Sequence, residues 1–246
     1  MTRPLVVGNW KMHGDGSWLP RLSAIADMAA ATPSLDIAIC VPAPLIHRAA
    51  ALRPAIAIGG QDCHAEPQGA FTGGVSAAML NEAGARLVIV GHSERRRAGD
   101  DDMAIAAKVA AGHAAGLRVV LCVGEDTAQR AAGTATHVAC GQLERGLAMR
   151  SAGELVVAYE PVWAIGSGQI PSAEDVAPVT AGLRATLAGL GRPDVPLLYG
   201  GSVTAGSVAA LMTDDALNGF LVGQSSLDPD SFANIAVAVQ QACSIR

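Results

Sequence analysis

The sequence predicts an α/β protein of one domain over residues 1–246, a (β/α)8 barrel of eight parallel strands ringed by helices. Three observations predict it. Eight short apolar runs recur along the chain, continuous rather than alternating, as buried parallel strands require. Ala-rich stretches with helical spacing lie between them, among them Met103–Gly116, Ala173–Leu190 and Ala205–Met212. The length of 246 residues suits eight such units without a linker or low-complexity segment. An open doubly wound sheet is the competing architecture, but no GxGxxG follows the first run.

Seven of the eight runs end on polar or glycine-rich sequence. Leu5–Val7 is followed by Asn9 and Lys11, and Ile37–Val41 is the second run. Ala55–Ile58 is followed by Gln61, Leu87–Val90 by His92 and Glu94, and Val119–Val123 by Glu125. Leu155–Tyr159 ends at Glu160, Leu197–Tyr199 leads into Gly200-Gly201-Ser202, and Phe220–Val222 into Gly223. In a barrel the carboxyl ends of all strands converge on one face, so these residues are expected to share a pocket.

Composition narrows the function. Half the chain is hydrophobic and 3% aromatic, so Ala, Val, Leu and Ile must make the core. A net charge of −5 argues against nucleic acid or an anionic membrane as the main partner, and Arg95-Arg96-Arg97 reads as a solvated or subunit-contact face. No apolar run approaches the ~18–20 residues of a membrane span, and the stretch MTRPLVVGNWKM lacks a long apolar signal region. Cys40, Cys63, Cys122, Cys140 and Cys243 are scattered, odd in number and form no CxxC pair. Reduced thiols in a cytoplasmic protein without a zinc site are expected.

The loop after the sixth run carries the sharpest signal. Ala158–Gly168 reads AYEPVWAIGSG, a carboxylate ending a buried strand beside a glycine-hinged, partly apolar loop. That combination suits chemistry that excludes water.

Together with GNWKM (8–12), GHSERR (91–96), CVGE (122–125) and YGGSV (199–203), the stretch YEPVWAIGSG (159–168) resembles the triosephosphate isomerase family over nearly the whole chain, in order and spacing. The resemblance implies a cofactor-free, metal-free aldose–ketose isomerase of dihydroxyacetone phosphate and D-glyceraldehyde 3-phosphate. Glu160 would be the general base, covered by Ile165 on the lid and Leu221 on the eighth run so that desolvation raises its basicity. His92, at a helix start that disfavours imidazolium, would donate to the substrate oxygen and move protons on an enediolate. Lys11, paired with Glu94, would supply fixed positive charge, and Asn9 a second donor. Cys122 matches a position near the base that supports packing more than chemistry. Backbone N–H groups of Gly166, Ser202, Gly223 and Gln224 would hold phosphate, helped by a helix start after the eighth run. Thr72, in GAFTGG (69–74), matches a position that reaches into a neighbouring subunit's site and implies a homodimer.

Four residues depart from the family pattern. Gln224 replaces a glycine, which would cost about 1 kcal/mol if its backbone needed a positive φ. Gly74 replaces a glutamate that normally pairs with an arginine at position 95. Gln169 replaces a lysine at the far lid hinge, and Asn218 an aspartate before the eighth run. These changes keep two alternatives open, an isomerase of a four-carbon sugar phosphate and a non-catalytic barrel that binds phosphate ligands.

Overall fold

In the computed structural model, residues 3–52, 54–165, 171–212 and 216–244 are described. Eight parallel strands close into a barrel in sequence order. They are β1 (Leu5–Asn9), β2 (Asp36–Cys40), β3 (Ala57–Gly60), β4 (Leu87–Val90), β5 (Arg118–Val123), β6 (Leu155–Tyr159), β7 (Leu197–Tyr199) and β8 (Gly219–Val222). The barrel closes where Leu5–Gly8 pairs with Gly219–Val222. Outside lie α1 (Leu19–Ala31), α2 (Ala43–Ala51), α3 (Ala77–Glu82), α4 (Ser93–Arg97), α5 (Asp102–Ala114), α6 (Thr127–Ala131), α7 (Ala135–Gly146), α8 (Ala173–Gly189), α9 (Ala205–Leu211) and α10 (Pro229–Ser244).

The eight expected runs are the eight strands, with two instructive differences. β1 runs on through Gly8 and Asn9, and β3 is shifted to include Gly59 and Gly60. An apolar-run criterion stops at glycine, but here the missing Cβ is what permits pairing. A Cβ on Gly8 would lie 2.6 Å from Ile39 Cδ1, and one on Gly59 would lie 2.7 Å from Cys40 Sγ. Asn9 is therefore the last residue of a strand rather than the first of a loop.

Alternation along each strand divides the core in two. Leu5, Val7, Ala38, Cys40, Ile89, Val120, Cys122, Val156, Ala158, Leu198 and Leu221 form one buried cluster that fills the barrel. Their strand neighbours, such as Val6, Ile39, Val88 and Val119, pack with Ile25, Ile46, Ile105 and Leu183 of the helices. Side chains on successive strand residues point to opposite faces, so continuous apolar runs serve both layers. Helix starts are set locally: Asp101 caps α5, and Ser172 with Asp175 forms a capping box on α8.

Candidate active site

Glu160 follows β6 and stays in the ladder, its N–H donating to Val123 O at 2.8 Å. It is 2% exposed. Both carboxylate oxygens are engaged. Ser93 N–H donates to Oε2 at 2.9 Å, and His92 Nε2 lies 3.2 Å from Oε1. Glu160 Cγ and Leu221 Cβ flank Gly200, where an added Cβ would meet them at 3.0 and 3.6 Å. Burial first, then the adjacent Glu160 carboxylate, pushes the Cys122 thiol well up. Cys122 is thus held as a neutral, fully buried S–H beside the carboxylate.

His92 caps α4, as the sequence leads one to expect. The Glu94 N–H donates to Nδ1 at 3.2 Å, so Nδ1 acts as acceptor and the proton resides on Nε2, the nitrogen facing Glu160. Glu94 also takes the Lys11 ammonium at 2.7 Å. Burial raises the Glu94 carboxyl, but the Lys11 hydrogen bond and the nearby charges of His92, Lys11 and Arg97 together outweigh it, and the net shift is downward.

Lys11 has φ +52°, the only positive φ of a non-glycine among the described residues. Such a backbone costs about 1–3 kcal/mol and persists only where the surroundings fix it. The Lys11 N–H donates to Asn9 Oδ1 at 2.9 Å, and its carbonyl accepts from Gln61 Nε2 at 2.8 Å.

Asn9, Lys11, Ile165, Ser202, Gly223 and Gln224 line one cleft of about 470 Å³ at the carboxyl ends of the strands. His13, passed over in the sequence, lines it too. A larger cavity of about 760 Å³ opens at the opposite mouth, between Arg3, Leu5, Leu87 and Arg118. Size therefore does not locate the chemistry.

Gln224 is exposed and opens a short 3₁₀ turn, Gln224–Leu227. Its φ is not positive, so the glycine it replaces in the family pattern is not missed by the backbone. The helix start expected after β8 is this short 3₁₀ turn rather than a long helix. Gly166 and Gln169 lie outside the described residues. Thr72 is exposed on the loop between β3 and α3 and does not line the cleft.

The remaining departures have visible consequences. Arg95 binds Asp62 at 2.9 Å and Asp100 at 3.2 Å, so carboxylates of its own chain occupy it. Asn218 accepts from the Arg184 guanidinium and from Leu197 N–H at 2.9 Å, tying β7 to β8 without a charge of its own.

Glu125 is a functional candidate for which the sequence suggested no task. It is fully buried, and Oε1 accepts from Trp163 Nε1 at 2.8 Å and Tyr159 Oη at 3.1 Å. Burial pushes its carboxyl up despite these bonds. Among the described residues, Glu125 Oε2 and Tyr199 Oη find no hydrogen-bond partner. The Glu125 carbonyl accepts from Val162 N–H at 3.0 Å, and Arg130 stacks 3.8 Å above the Trp163 ring. The loop leaving Glu160 is thereby fastened at its first turn. A buried acid directly after a strand was the available signal.

No three His, Cys, Asp or Glu among the described residues are grouped to hold a metal ion. No helix among them is long and apolar enough to cross a membrane.

The geometry sets a buried carboxylate against an imidazole, beside a cleft lined by the Lys11 side chain. Comparison with known proteins bears on what it serves. A family model described as triosephosphate isomerase matches residues 4–239. The triosephosphate isomerase of Ruegeria sp. (strain TM1040) is 47% identical over 97% of this chain and 99% of its own. That of Afipia carboxidovorans is 46% identical over 96% and 97%. The crystal structure of triosephosphate isomerase from Bartonella henselae superposes with a TM-score of 0.88 at 38% identity, covering 96% of this chain and 99% of that one. On sequence and on fold alike, the chain belongs to the triosephosphate isomerase family.

Proposed function

We propose that this protein interconverts dihydroxyacetone phosphate and D-glyceraldehyde 3-phosphate through an enediolate. The contact between buried Glu160 and His92 Nε2, beside the Lys11 cleft, carries this reading. Glu160 removes a proton from the carbon next to the carbonyl and returns it to the neighbouring carbon. To do so it exchanges the Ser93 N–H or His92 for substrate. His92 Nε2–H donates to the substrate oxygen as negative charge develops there and moves protons between the two enediolate oxygens. The Lys11 ammonium, released in part from Glu94, stabilises that charge and the phosphate, with Asn9 as a second donor. Ile165 and Leu221 keep water from the carboxylate.

The phosphate binds backbone N–H groups of Gly166, Ser202, Gly223 and Gln224, because glycine-rich turns let the chain approach an anion closely. Pairing of two chains through the Thr72 loop completes each pocket, so the working form is a homodimer. Exposed Met12, Phe71 and Met79 support this reading, since a second copy would cover them. Scattered thiols without a disulfide are in keeping with a cytoplasmic setting.

A coupled isomerase assay on the purified protein tests the proposal. Turnover of dihydroxyacetone phosphate is expected, and Glu160→Ala should lower it by about 10²–10⁴-fold while binding of a phosphate-bearing substrate analogue persists. Binding without turnover in the wild type would overturn it. Light scattering on the same sample gives the mass.

A further inference from the structure

Gln61 is the polar residue that follows β3, and the chemistry above gives it no task. Its side-chain amide has two N–H bonds, and both are used. Nε2 donates to the Lys11 carbonyl at 2.8 Å and to the Cys40 carbonyl at 3.1 Å. One side chain after β3 therefore ties the chain leaving β1 to the end of β2.

The tie falls on the one non-glycine residue with a left-handed backbone among those described, Lys11 at φ +52°. A lysine left to itself returns to negative φ, because its Cβ crowds the carbonyl in the left-handed region. Holding it there requires an anchor on each side. On the amino side, Trp10 is fully buried and Asn9 Oδ1 accepts the Lys11 N–H at 2.9 Å. On the carboxyl side packing within the chain gives nothing, since Met12 is 94% exposed there and only a second copy would cover it. The hydrogen bond from Gln61 is the anchor there.

We propose that Gln61 is a positioning residue of this active site, holding Lys11 in its left-handed conformation so that the ammonium faces the cleft. The inference rests on the proposed role of Lys11 as the substrate-facing cation. It also accounts for the residue type. Two carbonyls need two donors, which a glutamine amide supplies and a glutamate carboxylate does not.

A double-mutant cycle on the full-length protein tests it, using the isomerase assay and thermal melts. Gln61→Met keeps the length of the side chain and removes both donors. It should lower kcat/KM by about 10- to 100-fold, mainly through KM, as expected when a binding group is displaced by an ångström or so. In the Lys11→Ala background the same substitution should change kcat/KM less than about twofold, because there is no longer an ammonium to misplace. If Lys11→Ala itself retains activity, the proposed role of Lys11 fails. If Lys11→Ala is crippling but Gln61→Met is equally damaging in both backgrounds, Gln61 serves the fold and this inference alone fails. Wild-type kinetics for Gln61→Met would overturn it too. Should Gln61→Met lose its cooperative melt, Gln61→Asn enters the same cycle and is read the same way, since it keeps the amide but falls one methylene short of both carbonyls.

Discussion

Glu160 and Ser93 meet across the mouth of the barrel, the Ser93 N–H donating to Glu160 Oε2 at 2.9 Å. The same turn of chain brings His92 Nε2 to 3.2 Å from Oε1. A five-residue helix, α4, thus presents a backbone donor and an imidazole to one carboxylate held on β6. The carboxylate is kept dry, and both its oxygens are occupied.

In the proposed reaction His92 acts through Nε2, because the Glu94 N–H engages Nδ1. His92→Gln should therefore lower kcat by about 10²–10⁴-fold with little change in melting temperature. Steady-state kinetics beside a thermal melt would check it, and near-normal kcat would remove His92 from the proton path.

Gly124 fixes where Glu160 sits. A Cβ at this position would lie 1.8 Å from the Glu160 carbonyl oxygen, and the Gln142 amide clamps Gly124 N–H and C=O at 2.8 and 3.1 Å. Gly124→Ala must push the end of β6 aside. It is expected to cost about 1–3 kcal/mol of stability and to lower kcat at least tenfold. Urea melts and kinetics on the same preparation report both effects.

Lys108 is a structural cation. Its ammonium binds both Asp62 oxygens at 2.9 Å and Asp100 at 2.6 Å, while Arg95 closes the quartet from the other side. Lys108→Met leaves two carboxylates facing one arginine and should destabilise by about 3 kcal/mol, the low end for such a loss because Asp62 is partly exposed. Burial raises the Asp100 carboxyl, but Lys108 and Arg95 outweigh it and hold it below 3.8. Stability from a lowered carboxyl is present above 3.8 and is lost as pH falls toward the folded value. Acid melts of Lys108→Met should show less of that loss than the wild type.

His113 gives the opposite end of the barrel a pH dependence. Its ring is buried between Ser151 Oγ at 2.7 Å and the Glu154 carbonyl at 3.1 Å, and burial lowers its pKa from 6.5. The unfolded chain takes up a proton below 6.5 while the folded chain resists it, so stability falls as pH drops from 6.5 toward the folded value. The difference in unfolding free energy between wild type and His113→Gln should narrow over that range. A difference independent of pH would show that the ring is not held neutral.

By itself the sequence determined the eight strands, their parallel buried character and the strand ends that carry Asn9, Lys11, His92 and Glu160. Those features are local, because apolar runs and strand-end motifs survive whatever the rest of the chain does. Even here glycine misled at β1 and β3, since an absent Cβ reads as a break in one dimension and as a fit in three. Only closure of the barrel decided which polar groups meet. It set Gln61 on the Lys11 carbonyl, Asp62 on Arg95 and Glu125 under Trp163. Each partnership joins different strand ends, and its distance depends on register around the whole barrel. A hydrogen bond lost to an ångström of displacement cannot be read from residues that lie far apart along the chain.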